Sequence, residues 1–431
     1  MTTGKLVAAS LPYHPVADMF APFAAEPYAL LLDSQTGGGV SYIAVRPRDT
    51  LEIFAGTPDP LKQAAALLNA AGTTAALPDV PPFQTGWAGV WHYEAGCGRE
   101  GIPHPYEATE PLIALGYYDV VAAYDHDRKQ AWLIWQETAA AKAVVLRGLL
   151  ESPPMVDEAG AAPPLVFAAQ DGEYYPDAVR RTQEYIRAGD IYQANVAQRW
   201  CAKTPQDYQY YTALKALRGA HPAPYAAYWR GHGSVLLSAS PELFLESDGH
   251  TVSARPIKGT LPSSADANTL KADPKNRAEN LMIVDLLRND IAQSCVPGSV
   301  RVPSLYALET HPTVHHLVST ITGTLSPGTT ALDAFVAAFP GGSITGAPKI
   351  RAMEIIAELE RAPRRAYCGS IGFFSVTGAL TMNIAIRTVI FDAHTATLWG
   401  GSGITHGSDA AAESMECATK ISGIRRCLEE K

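Results

Sequence analysis

A hard divalent cation needs several oxygen ligands drawn from separated segments of chain. Glu413 and Glu416 stand at i and i+3 within Asp409–Leu428, a stretch whose apolar spacing predicts a helix. On one helix face two like charges repel unless a positive group stands between or beside them, and the same spacing also fits a solvated face. Glu279, early in a second expected helix at Asn276–Asp290 with the apolar flank LMIVDLL, is the natural third carboxylate. Lys258 in RPIKGT follows an expected strand and directly precedes Gly259, an open approach that suits a nucleophile or an anion binder. With an ordinary pKa of about 10.4 it is almost wholly charged at neutral pH, so nucleophilic work requires burial or neighbouring positive charge. A solvated turn lysine is the plain alternative.

The run Pro340-Gly341-Gly342-Ser343-Ile344-Thr345-Gly346-Ala347-Pro348-Lys349 is a glycine-rich turn leading into a helix, with Pro348 near the first helical turn. Such a turn can present backbone N–H groups and hydroxyls to an anion, or can simply start a helix. It lacks the GxxxxGK[ST] spacing of a Walker A loop. A second cluster, Gly400-Gly401-Ser402-Gly403, follows a strand and precedes the acidic helix, whereas Gly37-Gly38-Gly39 reads as a flexible loop. The 12 histidines show neither HExxH nor zinc-finger spacing, which argues against a zinc enzyme. His315 and His316 lie in a strand-like run, VHHLVSTI, so they must face opposite ways. Cys97, between Gly96 and Gly98, follows His92-Tyr93-Glu94, the reverse of the Cys…His…Glu order of class I glutamine amidotransferases, and is assigned no chemistry.

The elements that must position these groups fall into two regions. Residues 1–150 mix β-like runs at Tyr28–Leu32, Gln84–Tyr93 and Gln130–Trp135 with an Ala-rich helical stretch, Thr138–Leu150. Residues 151–164 (ESPPMVDEAGAAPP), rich in proline and acidic residues, read as a linker. From 165 to 431, Tyr174–Ala188 reads as a helix stopped by Gly189, followed by strands at Ile191–Trp200, Tyr225–Trp229, Val235–Ala239, Leu243–Glu246 and Thr251–Arg255. Further strands are expected at Ala366–Val376, Leu380–Phe391 and Thr395–Trp399, between helices at Ala347–Leu359 and Asp409–Leu428. Strands cluster rather than alternate with helices. The expected class is α+β with antiparallel sheets rather than a doubly wound parallel sheet.

At 431 residues, 47% hydrophobic and 18% charged, the chain is long enough to bury a large core without disulfides or metal staples. The balance of 34 basic against 43 acidic residues, net −9, excludes a general polyanion binder, so no nucleic-acid partner is expected. No apolar run reaches the 18 or so residues of a membrane span, so no membrane association is expected. The 6 cysteines form no CxxC pair, which suits a reducing cytoplasm.

Several stretches together resemble the chorismate-utilising enzymes, a family that includes anthranilate synthase component I, and within it the aminodeoxychorismate synthase branch. They are GDIYQAN (Gly189–Asn195), SASPELFL (Ser238–Leu245), RPIKGT (Arg255–Thr260), AENLMIVDLLRND (Ala278–Asp290), VHHLVST (Val314–Thr320), FPGGSITGAPKIRAMEII (Phe339–Ile356), YCGSIGF (Tyr367–Phe373) and NIAIRT (Asn383–Thr388). The N-terminal region matches more loosely, through PYALLLDS and GWAGVWHYE. The resemblance implies an α+β fold whose antiparallel sheets form a central sandwich flanked by helices, like anthranilate synthase component I. The resemblance implies Mg²⁺ on Glu279 and Glu416 with Glu413 close by, although Asn276 stands where the family often carries another acid. It implies substrate contacts at His316, Gly342, Thr345, Tyr367, Arg387, Gly403 and Lys420, with Lys258 as covalent nucleophile and Glu242 as general acid. Arg387 suits a carboxylate as a planar fork, while Lys420, four residues after Glu416, also reads as a helix ion pair.

Lys258 in PIKGT, where anthranilate synthases typically carry alanine, and Gln193, where isochorismate and salicylate synthases carry a water-activating lysine, imply amination of chorismate at C4. The ammonia would come from a separate glutamine amidotransferase subunit, and the product would feed p-aminobenzoate and folate synthesis. The competing readings are anthranilate synthesis and a non-catalytic chorismate-binding subunit. Asp33, Ser34, Pro224 and Tyr225 resemble segments lining a tryptophan pocket in relatives, or form ordinary interlobe packing.

Overall fold

The computed structural model describes residues 4–36, 38–70, 72–103, 110–152, 162–170, 174–231, 233–310 and 314–430; residues 153–161 of the expected linker lie outside them. Two antiparallel sheets carry the fold, one of 12 strands and one of 10 among the described residues. The central path of the larger sheet runs from Val40–Ala44 through Ala29–Asp33, Tyr225–Gly231, Ser234–Ser240, Thr388–Phe391 and Thr395–Ile404 to Gln193–Lys203. The smaller runs from Ile257–Pro262 through Val314–Thr324, Thr251–Ala254, Leu243–Ser247, Leu380–Asn383 and Ser370–Ser375 to Gly86–Trp91, Pro111–Tyr118 and Asp49–Phe54. Both sheets therefore mix strands from before residue 150 with strands from after 165. The joins are Ala29–Asp33 on Tyr225–Gly231 and Gly86–Trp91 on Ser370–Ser375.

The sheets pack face to face over Tyr42, Phe83, Tyr118, Trp229 and Phe373. Phe83 stacks on Phe373 with ring centroids 4.6 Å apart, and Tyr42 meets Phe83 edge-on at 5.6 Å. Helices Tyr174–Ala188, Tyr210–Ala220 and Ala410–Glu429 cover the outer face of the larger sheet, and Pro60–Asn69, Pro274–Ala292 and Ala331–Ala338 that of the smaller. This is the expected α+β sandwich flanked by helices. Its middle strands are covered on both faces, and Pro111–Tyr118 and Val120–Asp125 are buried along their whole length.

The helices that carry the acidic residues begin where the sequence supplies caps. Asp273 accepts from the Lys275 N–H at 2.9 Å ahead of Pro274–Ala292, and Asp409 accepts from Ala411 and Ala412 ahead of Ala410–Glu429. Each cap is worth about 1 kcal/mol.

Two expected elements are corrected. Leu380–Phe391 is not one strand: Leu380–Asn383 belongs to the smaller sheet and Thr388–Phe391 to the larger, with the chain crossing between them. Thr395–Trp399 extends to Ile404, so the Gly400–Gly403 cluster lies inside a strand paired with Gln193–Lys203 rather than after it. Crowding requires glycine at position 400, where a Cβ would meet the Cys417 backbone carbonyl at 2.5 Å, whereas a Cβ on Gly403 would meet only the end of the Gln193 side chain, Nε2 at 2.5 Å.

Candidate active site

Lys258 stands on a bulge. Ile257 pairs with Val318 but Thr260 with His316, so the edge strand carries one residue more than its partner across Lys258 and Gly259. Gly259 turns the chain at φ +80°, and a Cβ there would lie 2.8 Å from Leu270 and 3.0 Å from Asn276. The lysine Nζ donates to the Ser343 carbonyl in the glycine-rich turn at 3.3 Å. Burial pushes its pKa below the ordinary value against the opposing charge of Glu242; Lys420 adds to the depression, and Glu279 and Glu416 oppose it. The charges of four residues, from three separate parts of the chain, thus converge on one amine.

Glu242 and Arg387 owe their places to the two crossings between sheets. The chain leaves the larger sheet at Ser240 and enters the smaller at Leu243, with Glu242 between them and only 6% exposed. It returns between Asn383 and Thr388, where Arg387 is held at φ +52°. The crossings are laced together: the Ile384 N–H donates to the Glu242 carbonyl at 3.0 Å, and the Ser240 hydroxyl donates to the Ile384 carbonyl at 2.5 Å. Holding a non-glycine residue at positive φ costs on the order of 1–3 kcal/mol, and Arg387 shares that conformation with nine other described non-glycine residues. Burial pushes the Glu242 carboxyl above the usual carboxylate range, with Lys258 and Arg387 pulling against it. Burial also depresses the Arg387 guanidinium, opposed by Glu242.

The glycine-rich turn forms the next wall. Gly342–Ile344 is a single 3-10 turn, and a Cβ on Gly342 would lie 2.5 Å from Leu286, so only glycine lets the turn sit against the Pro274–Ala292 helix. Thr345 is fully buried, and its hydroxyl donates to the Gly341 carbonyl at 3.0 Å. Pro348 is the N-cap residue of Lys349–Leu359. Gly403 faces Asn195 across the adjoining strand pair. Tyr367 stacks on Trp399 at 5.9 Å, and its hydroxyl would lie 2.7 Å from a Cβ on Gly401. The His316 Nδ1 is 3.0 Å from the Thr260 hydroxyl beside the bulge, whereas His315 faces the other way, toward Thr310 and the Ser263 carbonyl.

The carboxylates approach from two helices. Glu279 sits 3.9 Å from Lys275 on its own helix; burial pushes its pKa up, Lys258 pulls it down, and Glu416 adds to the rise. Glu416 pairs with Lys420 at 2.8 Å, and Lys420 also donates to the Gly401 carbonyl at 2.9 Å. Lys420 therefore makes the ion pair its spacing allowed while still acting on Lys258. Glu413 is buried one turn earlier, where its charge acts on the Tyr175 hydroxyl. Among the described residues no three His, Cys, Asp or Glu side chains form a group that could hold a metal ion.

Asp33 and Ser34 adjoin Pro224 and Tyr225 because Ala226 pairs with Asp33. The Asp33 carboxylate accepts from Ser41, Gln35 and Arg218 at 2.9, 2.8 and 2.8 Å. Cys97 is 1% exposed and burial pushes its thiol up; Glu94 accepts from the Arg364 and Arg365 backbone N–H groups. Sequence reasoning did not single out Glu360 and Arg364, whose buried ion pair lies behind the turn. The i,i+4 spacing was their only signal, and it is shared with many surface pairs.

With this geometry in view, the similarities to known proteins are informative. A family profile described as chorismate binding enzyme matches residues 27–426, and the chain belongs to that family. It is 40% identical over 383 residues to aminodeoxychorismate synthase component 1 of Escherichia coli (strain K12), covering 87% of this chain and 83% of that protein. Identity to the Klebsiella aerogenes protein of the same name is 38% over 459 residues, covering 97% of this chain and 98% of the relative. The crystal structure of anthranilate synthase component I from Streptococcus pneumoniae TIGR4 matches with a TM-score of 0.80 at 29% identity, covering 90% of this chain and 92% of that one.

Proposed function

We propose that this enzyme aminates chorismate at C4, giving 4-amino-4-deoxychorismate for p-aminobenzoate and folate synthesis, with ammonia delivered by a separate glutaminase subunit. The observation that carries the reading is the pair at the bulge: an amine depressed mainly by burial, beside a carboxyl raised by burial. Both shifts favour the neutral forms, which are what a nucleophilic amine and a proton-donating acid require. The names of the two bacterial relatives support amination, and "component 1" in those names supports a partner component.

In the proposed sequence, chorismate lies against Arg387, whose planar fork takes a carboxylate. The neutral Lys258 amine attacks C2, the ring double bond shifts, and the C4–O bond breaks as Glu242 gives its proton, so the hydroxyl departs as water. Ammonia then forms a bond to C4, the double bond shifts back, and Lys258 leaves with the bonding pair and recovers a neutral amine as a proton passes to Glu242. Two displacements preserve the geometry at C4. The donor set fits Mg²⁺, which is usually held by one or two carboxylates together with substrate and water. Glu279 and Glu416 would hold it, with Glu413 one turn away on the Glu416 helix, and their mutual repulsion is the kind a cation relieves. When bound, the ion supplies positive charge to a substrate carboxylate.

Incubation with chorismate, Mg²⁺ and ammonium, with and without an added aminodeoxychorismate lyase, tests the reading. The expected product is non-aromatic and becomes p-aminobenzoate only with the lyase. Fluorescent anthranilate with released pyruvate would establish the competing reading, which the Streptococcus pneumoniae structural match favours. No chorismate consumption would leave a binding subunit. Glutamine should replace ammonium only with a glutaminase subunit present. We also propose the Asp33, Ser34, Pro224 and Tyr225 junction as the place for a tryptophan ligand; calorimetric titration that shows no heat of binding would sink it.

A further inference from the structure

Behind the substrate-facing wall lies a guanidinium wholly removed from solvent. Arg364 is 1% exposed and Glu360 5%. Arg364 Nε donates to Glu360 Oε2 at 2.7 Å and Nη2 to Oε1 at 2.6 Å, a bidentate fork. Its remaining donors go to main-chain carbonyls: Nη1 to Ile344 at 3.1 Å and Nη2 to Asn195 at 2.5 Å. Its face lies 5.7 Å from the Tyr367 ring centroid and 4.7 Å from that of Tyr93. Glu360 in turn accepts the Ala197 N–H at 3.0 Å.

Each of these partners sits one step from the cleft. Ile344 directly precedes Thr345, and the Asn195 N–H donates to the Thr345 carbonyl at 2.7 Å. Asn195 also faces Gly403 across the strand pair. Its carboxamide orientation is set by the Ile344 carbonyl, which only accepts and therefore takes Nδ2 at 3.2 Å. That leaves Oδ1 buried without a partner among the described residues, 3.0 Å from where a Cβ on Gly401 would lie, beside the Tyr367 hydroxyl.

We infer that Arg364, held by Glu360, is a positioning residue for chorismate: it fixes the relative places of the glycine-rich turn, the Asn195 strand and Tyr367 without touching substrate. A buried ion pair is a poor source of stability, since well-packed apolar residues commonly replace one at no loss, whereas removing one partner alone is strongly destabilising. Its retention here is accounted for by the two carbonyls it aligns. The geometry of such walls matters steeply, because a misplacement of about 1 Å can cost about 10²-fold in rate.

The inference rests on placing chorismate in this cleft, and the experiment separates the two claims. Chorismate affinity is measured by calorimetry with Mg²⁺ and without ammonia, alongside melting temperature, for the otherwise wild-type protein, Arg387→Lys, Arg364→Lys, and the double variant Glu360→Met with Arg364→Met, each carrying Lys258→Ala so that no adduct forms during the titration. Lys142→Met, which opens a partly buried pair with Asp119 far from the cleft, is the control for destabilisation alone. We expect the double variant to melt near wild type yet bind chorismate at least about tenfold more weakly, with Arg364→Lys weakened similarly and Lys142→Met unchanged in affinity. Affinity within twofold of wild type in the folded double variant, with Arg387→Lys weakened, overturns the positioning role. Unchanged affinity in Arg387→Lys overturns the placement of chorismate itself.

Discussion

Two lysine–carboxylate pairs among the described residues are drawn largely out of water and are alike in composition but, on the proposed reading, opposite in use. Lys349 donates to Asp290 at 2.7 Å and to the Ala338 carbonyl at 2.8 Å, joining the Lys349–Leu359 helix to two others. Lys258 and Glu242 act on each other through charge, yet the Lys258 bond is to the Ser343 carbonyl at 3.3 Å. In both pairs burial is the largest influence, depressing the amine and raising the carboxyl. The closed pair spends its charge holding helices together. In the open pair the same desolvation favours the neutral forms that the proposed chemistry needs, so on that reading satisfied geometry rather than residue type separates structure from chemistry.

The largest expected effect comes from exchanging the pairs' fates. Lys258→Ala should lower kcat by at least about 10³-fold, as loss of a nucleophile does, with little change in melting temperature. Lys349→Ala should instead cost about 3–5 kcal/mol in denaturant unfolding, because it strands Asp290 as an uncompensated buried charge. Should Lys258→Ala unfold the protein and Lys349→Ala spare it, the contrast collapses. Next, Glu242→Gln should lower kcat about 10²–10⁴-fold in steady-state assays with ammonium, the range for a lost general acid.

The pH profile sharpens the same comparison. The productive form has Glu242 protonated and Lys258 neutral, so one proton has left the fully protonated pair. Adding it back on acidification or removing the second in alkali destroys that form, and kcat/KM should follow a bell whose limbs belong to the pair. In Glu242→Gln the alkaline limb should vanish. The acid limb should stay in place or move to higher pH, because the first proton leaves the wild-type pair from either group, whereas in the variant it can leave only Lys258, beside an uncharged neighbour in both cases. An unchanged bell would remove Glu242 from the chemistry. The smallest effect should be at Lys275, which stands 3.9 Å from Glu279 and is largely exposed: Lys275→Ala should shift stability by no more than about 1 kcal/mol.

Much of the architecture was legible because it has local causes. Apolar spacing marks the two acidic helices from Asn276 and Asp409 onward, while the cap at Asp273 starts the first of them two residues earlier than expected, at Pro274. Strands covered on both faces were harder: Pro111–Tyr118 and Val120–Asp125 have no polar alternation and were not picked out. The crossing at Arg387 was invisible, since NIAIRTVIF reads as one continuous strand and only long-range pairing assigns its halves to different sheets. That crossing is also what places Arg387 beside Glu242. The site residues were named from stretches such as RPIKGT, whereas the lysine's state depends on the bulge and on charges from distant helices. Arg364 was missed because its partners, the Ile344 and Asn195 carbonyls, are main-chain atoms with no signature in side-chain type.

The central claim, that Lys258 forms a bond to the substrate ring, is tested most directly by intact-protein and peptide mass spectrometry after incubation with chorismate and Mg²⁺ without ammonia. The account predicts an adduct of the mass of chorismate less one water on the peptide containing Lys258, discharged when ammonium is added and absent in Lys258→Ala. A protein that turns over chorismate with ammonium yet carries no adduct at Lys258 under these conditions, with Lys258→Ala fully active, would contradict it.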